Sequence, residues 1–497
     1  MRSKSYWRFL FHKDQSGDWL FVLSCTLAAC LVMVYFYPYP TFITDSFDYI
    51  MVARSQTFWP IRPYGYPVFL SHLHQLSGSI WSIIVSQGLL YALSLTLLLL
   101  AIKKYWPPRR KWAFRVLEAF TVLSPTAIFL LNCVLSDALF CCMIFIMLAM
   151  GIVMVKERSW SAMLVYLAVF YAALWVRRSA EFFPLAFLPV FLLNGKPAFR
   201  ISSAVVTAVL VGVFFFQISN RMEKSTGYRQ ASTGFDGWQL ANNAIHVLPY
   251  IPSPEEDGLP DDEDVAFMHK YLYKQFDGYI TRATDDGKYV SADFMWDDNA
   301  PLMKMLEYCV KGYELPRLQV WVDIGTHALK DYALWLILKH PLPFFRYYIW
   351  PNIKNAFHPF NMEAVFFPLN VVENKETNKE VVRWYSFPKD AKIQPRSQAL
   401  AKICEPLCPW MEVFTWLVFF VGLFLLLIFG KNLTRENFMS LLLIFLFGLV
   451  YYGTTVFASP VAIRYWMPMH AVKLVFAWMA FRSTLGDNLK PAEDLFK

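Results

Sequence analysis

Charge is scarce in this chain: 17% of its 497 residues are Asp, Glu, Lys or Arg, against roughly a quarter in soluble proteins. That shortage excludes an ordinary soluble enzyme. The net charge is +8, but no basic, aromatic-interleaved surface lies outside the apolar runs, so no nucleic-acid partner is expected. There is no H-E-x-x-H, and the acidic cluster Glu255, Glu256, Asp257, Asp261, Asp262, Glu263 and Asp264 lacks the spacing of a calcium loop. No internal repeat and no low-complexity tract is present. A cleavable leader is not expected either. The first apolar run, Leu20 to Tyr37, is too long for one and lacks a small-residue cleavage site, so it reads as a first span and signal anchor.

Hydrophobic side chains make up 57% of the sequence and aromatics 18%. The apolar runs recur, and each is a candidate to cross a bilayer roughly 30 Å thick. They are Trp19–Tyr37, Ile80–Ile102, Phe114–Val134, Ala138–Val155, Trp160–Val176, Phe182–Leu193 (short for a span), Ile201–Ile218, Trp410–Phe429, Phe438–Phe457 and Val461–Phe481. The expected fold class is therefore an all-α polytopic membrane protein of about ten transmembrane helices. Basic residues alternate between loops. Arg2, Lys4, Arg8, Lys13, Lys103, Lys104, Arg109, Arg110, Lys111, Arg115, Lys156, Arg158, Lys196, Arg200, Lys431, Arg435 and Arg482 all fall on one side. Because cytoplasmic loops are the basic ones, both termini are expected inside.

The segment 219–409 carries no span and is expected outside. It holds 25 acidic and 21 basic residues, a net −4 that leaves +12 to the rest of the chain. Helical patches are predicted at Val265–Phe276 and Leu318–Leu338. The expected organisation is a membrane module over 1–218 with a functional outer loop over 39–79, a mixed, mainly helical extracytoplasmic domain over 219–410 between spans seven and eight, and a second membrane module over 411–497. Cys404 and Cys408 lie on the oxidising side, where a disulfide between them, or from one of them to Cys309, is open. His470 and Lys473 fall inside the last span, facing a polar cavity or pairing with Glu118.

The short outer loops carry only Arg54, Arg62, Arg177, Arg178 and Arg464. In the first of these loops Asp45, Tyr49 and Ala53 follow i, i+4, i+8 spacing, one face of a short helix, with Asp48 set off that face. A carboxylate there can act as a general base on an acceptor hydroxyl. The competing reading is a helix cap, since Thr44-Asp45-Ser46 is a good capping sequence. Asp137, in Leu135-Ser136-Asp137, has the same two readings: a functional acid at the membrane edge, or a cap for the following helix.

Asp45-Ser46-x-x-Tyr49-x-x-x-Ala53, followed by Arg62-Pro63-Tyr64-Gly65-Tyr66-Pro67, resembles the first outer loop of the GT-C superfamily of membrane glycosyltransferases. That superfamily includes protein O-mannosyltransferases and lipid A aminoarabinose transferases. Ser136-Asp137, Trp175-Val176-Arg177-Arg178 and Arg464-Tyr465-Trp466-Met467-Pro468 are similar to further family stretches, as is, more weakly, Lys339 to Trp350. Many members have a second acid directly after the Asp. Here Ser46 stands there, which weakens any case for a metal held by adjacent carboxylates.

The resemblance implies transfer of a sugar from a polyprenyl-phosphate donor to a hydroxyl of a protein, lipid or polysaccharide acceptor, at the outer face of a bacterial inner membrane. Asp45 would be the base and Arg62, Arg177, Arg178 and Arg464 the donor-phosphate binders, since a guanidinium is a planar fork for phosphate oxygens. Tyr49, Tyr64, Asp137 and Tyr465 would line the substrate cavity. The bland alternative for the arginines is snorkelling to lipid headgroups. No cofactor is certain; a divalent cation is admissible, though no ligand set for one is visible. The rival readings are a transporter or flippase of lipid-linked saccharide, which lacks the pseudo-repeat common among transporters, and a non-catalytic envelope-assembly protein.

Overall fold

A computed structural model describes residues 5–277, 279, 290–313, 315–359, 375–387 and 395–485. Among these the chain is helical, with one isolated bridge, Thr41 to Cys133, and no extended strand. This is an all-α integral membrane protein. Among the described residues, six helices are long and apolar enough to cross a bilayer, or seven if one bent pair counts as a single span.

The first half comprises α1 (Ser16–Phe36), two short helices α2 (Thr44–Ser55) and α3 (Gly65–Leu76), α4 (Trp81–Tyr105), α5 (Lys111–Val122), α6 (Pro125–Leu131), α7 (Ser136–Glu157), α8 (Trp160–Val176), α9 (Pro184–Leu193) and α10 (Pro197–Thr226). Apolar on every side, α7 is the most enclosed, packed among α4, α8 and later helices. By contrast α1 and α10 expose Leu20, Leu27, Leu31, Ile201 and Val209, the pattern of helices facing lipid.

The expected third span is broken. Its two halves, α5 and α6, meet at 51°, because Pro125 has no N–H and disfavours helical geometry at Ser124. Side chains take up the carbonyls near the break: Tyr91 Oη donates to Thr121 O (3.0 Å) and His470 Nε2 to Phe120 O (3.0 Å). The expected sixth span, α9, has only 10 residues, about 15 Å of helix, too short to cross alone.

The segment after α10 contains α11 (Phe235–Ala244), α12 (Glu263–Asp277), α13 (Pro301–Tyr313), α14 (Arg317–Thr326), α15 (Ala328–Lys339), α16 (Trp350–Phe357) and α17 (Lys375–Tyr385). The helical patch expected over Leu318–Leu338 is helical, as two helices that meet at His327. The break lies where α11 approaches the backbone: a Cβ on Gly237 would sit 1.6 Å from Gly325 O. Gly237→Ala should therefore destabilise the protein by about 3 kcal/mol or more. Gly312→Ala, with nothing within 4 Å of the new carbon, should change stability by less than about 1 kcal/mol. Thermal unfolding of both variants in detergent checks the contrast.

The chain closes with α18 (Ala399–Phe429), α19 (Arg435–Ala458), a 3-10 turn over Ile463–Trp466, and α20 (Met467–Thr484). All eight cysteines are unbridged. Cys404 and Cys408 share the first turns of α18, where i, i+4 side chains start 5–6 Å apart, beyond the reach of a disulfide. Glu118 pairs with Arg115 (2.6 Å), and Lys473 instead with Glu412 (2.7 Å).

Candidate active site

The site is assembled from four chain segments. The loop before α2 is pinned to the α6–α7 link by two backbone bonds, Thr41 N to Asn132 O (2.8 Å) and Val134 N to Thr41 O (3.0 Å). Gln87 braces that link by donating to Leu131 O and Cys133 O. The start of α2 thus lies beside the start of α7, and Tyr49 Oη sits 3.1 Å from Ser136 Oγ. The loop to α3 is drawn against the end of α8 because residue 65 is glycine: a Cβ there would lie 2.7 Å from the Trp175 carbonyl. This approach brings the Arg62 loop and the Arg177 turn together. The fourth segment is the 3-10 turn that carries Arg464 and Tyr465. The end of α19 and the loop that leads from it to this turn are held by asparagines of the inserted segment: Asn243 donates to Phe457 O and Ala458 O, Asn352 to Val456 O and Ser459 O, and Asn355 to Val461 O.

Both oxygens of Asp45 face guanidiniums. Arg62 Nη2 lies 2.7 Å from Oδ1 and Arg464 Nη1 2.9 Å from Oδ2. Arg62 also donates through Nε to Asp48 Oδ2 (2.9 Å). Arg177 pairs with Asp137 and lies over the Tyr465 ring, 5.0 Å from its centroid; Arg464 flanks the same ring at 5.3 Å. Tyr451 Oη fixes the Tyr465 backbone at 2.8 Å. Three arginines thus meet three carboxylates, and Trp296 of the inserted segment covers Arg62 at 5.7 Å.

The capping readings fail here. The α2 start is tied by Ser46, whose Oγ accepts from Ile43 N (3.0 Å), so Ser46 and not Asp45 does the capping. The α7 start has no side-chain cap, and Asp137 is given to Arg177.

Two expected members lie apart from this cluster. Arg178 pairs with Glu181 and covers Phe214 and Phe215. The Tyr64 hydroxyl faces Gln56, and its ring lies under Arg221 at 4.5 Å. One residue was missed. The i, i+4, i+8 pattern sets Asp48 off the Asp45 face, yet i, i+3 side chains are neighbours on a helix, and Arg62 bridges both acids. That spacing was the available signal.

The two acids are tuned in opposite directions. Burial raises the Asp45 carboxyl, but Arg464 and Arg62 outweigh it and hold the group below the usual carboxylate range. Burial raises Asp48 too, and Arg62 only partly offsets this, so it stays above that range. Neighbouring groups pushed apart in this way are a common mark of acid–base sites. Among the described residues, no group of three or more His, Cys, Asp or Glu side chains is placed to hold a metal.

No family model matches the chain, and no curated protein matches it. Among solved structures it is similar to ArnT from Cupriavidus metallidurans, determined with undecaprenyl phosphate bound, at 13% sequence identity and a TM-score of 0.34, over 94% of this chain and 78% of that one.

Proposed function

We propose that the protein is a membrane glycosyltransferase of GT-C type that takes a sugar from a polyprenyl-phosphate carrier and joins it to an acceptor hydroxyl. The observation that carries this reading is the double clamp on Asp45. One acid is held between two arginines, one from each end of the chain, beside a third arginine on the same tyrosine ring.

In this reading the donor phosphate engages Arg464, Arg62 and Arg177, the three that converge. Asp45 loses part of its clamp as the phosphate arrives, so its basicity rises when a donor is in place. It then takes the acceptor proton while the acceptor oxygen attacks the anomeric carbon. The bond from that carbon to the phosphate oxygen breaks, and the departing lipid phosphate keeps the electron pair on the arginines. Electrostatic stabilisation of a leaving anion is often a large share of catalysis.

The proposal places this chemistry, and the inserted segment, on the outer side of the membrane with both termini inside, as the basic loops require. A cysteine introduced near Asp261 should be labelled by an impermeant reagent in intact spheroplasts, and one near Arg110 should be spared. The reverse pattern would remove the outer-face reaction. The direct test is transfer of radiolabel from a polyprenyl-phosphate sugar to total acceptor extract by membranes containing the protein.

A further inference from the structure

Directly beside the turn that carries Arg464 lies a small cavity of about 10 Å³, lined by Ser124, Thr126, Cys408, Glu412, Trp466 and His470, among others. A space of that size holds about one water. Two polar atoms around it are buried and lack a partner: Trp466 Nε1, a donor, and Glu412 Oε1, an acceptor. Their residues are 2% and 5% exposed. The other Glu412 oxygen is fully used, since Lys473 Nζ donates to Oε2 at 2.7 Å and the Thr415 hydroxyl lies 3.2 Å from it. His470 is committed through Nε2 to Phe120 O. The Trp466 ring packs against Tyr452 at a tilt of 34°, with centroids 4.5 Å apart. Buried polar groups in native proteins almost always find partners, often through ordered water. A charged pair inside a membrane helix bundle is also costly enough to imply a role.

We propose that this cavity binds one ordered water that accepts from Trp466 Nε1–H and donates to Glu412 Oε1, and that this tie fixes the Ile463–Trp466 turn and hence the orientation of Arg464. Trp466 and Glu412 are then positioning residues, acting through Arg464 without touching substrate. The second half of the inference rests on the glycosyltransferase reading; the water site does not.

The test uses full-length protein in lipid nanodiscs and the Trp466→Phe variant, which keeps the ring and removes the N–H. The Raman spectrum of wild type minus variant should show the indole N–H band of a hydrogen-bonded tryptophan, and a high-resolution map should show one density peak bridging the two atoms. A free-indole band, or no peak, overturns the water site. Trp466→Phe should weaken binding of titrated polyprenyl phosphate about tenfold and lower kcat by a similar factor. The loss caused by Trp466→Phe should nearly vanish in a Glu412→Gln background, whatever Glu412→Gln itself costs through Lys473, because both act through one water. Additive losses, or a variant equal to an active wild type, overturn the positioning role. A wild type that binds no polyprenyl phosphate and transfers no sugar defeats the glycosyltransferase reading instead, and the spectrum and map still decide the water site. Should Glu412→Gln fail to fold because it strands Lys473, Trp466→Phe alone decides.

Discussion

Asp45→Asn should lower the rate of sugar transfer by a factor on the order of 10²–10⁴, the usual cost of losing a general base. The amide keeps the shape of the side chain but has one oxygen for the two arginines that Asp45 meets through Oδ1 and Oδ2, so thermal unfolding and titration of polyprenyl phosphate are measured beside the rate to separate the loss of the base from the loss of the clamp. Asp48→Asn is the necessary comparison. Asp48 shares Arg62 with Asp45, so its loss should be felt, but by about tenfold or less if it only steadies that arginine. The acid limb of kcat/KM separates the two roles independently, because it reports ionisation in the free enzyme. A base must be deprotonated, so activity falls as pH drops through its pKa. Asp45 is held below the usual carboxylate range by Arg464 and Arg62, so an Asp45-dependent rate should persist to lower pH than an ordinary carboxylate base allows. Asp48 is pushed above that range, so an Asp48-dependent rate should begin to fail at higher pH. An early acid limb together with a larger loss in Asp48→Asn would move the base by one turn of helix. Full activity of Asp45→Asn would end the assignment.

Those residues were visible before the fold was, and the reasons are physical. Apolar runs longer than a bilayer is thick announce themselves, and a helix occupies each of the ten expected stretches. The sequence reading erred where a local rule competed with the run. Pro125 bends the third stretch. Which residues converge was legible only in part. Topology disfavours cations in outer loops, and that singled out Arg62, Arg177 and Arg464. It singled out Arg178 equally, because neighbours on a turn look alike until their directions are known. The pairing of each arginine with a carboxylate could not be read from spacing, since Arg464 reaches Asp45 across more than 400 residues. Nor could Lys473 be matched to Glu412, sixty-one positions away, with the equally apolar-flanked Glu118 at hand.

Arg464→Met should be the most damaging of the arginine variants, costing on the order of 10²–10³ in kcat, the range seen when a donor to a developing anion is removed. The replacement keeps length and apolar packing against Tyr465 while deleting the charge that meets Asp45 Oδ2 at 2.9 Å. It should also change the pH profile in a defined direction. Arg464 is the strongest influence holding the Asp45 carboxyl down, so without it that pKa rises and the acid limb of kcat/KM moves to higher pH. A merely structural arginine would lower activity without moving the limb. Arg464→Lys restores the charge but not the planar fork, so it should return the limb most of the way and the rate only in part. Arg178→Met tests the convergence argument from the other side. Its guanidinium pairs with Glu181 and lies over Phe214 and Phe215, so its loss should be well below that of Arg464. If the two losses are equal, the anion site is built on the Arg177–Arg178 turn as a whole. If Arg464→Met leaves both rate and pH profile intact, the departing phosphate is not stabilised at this cluster, and the clamp on Asp45 serves the fold alone.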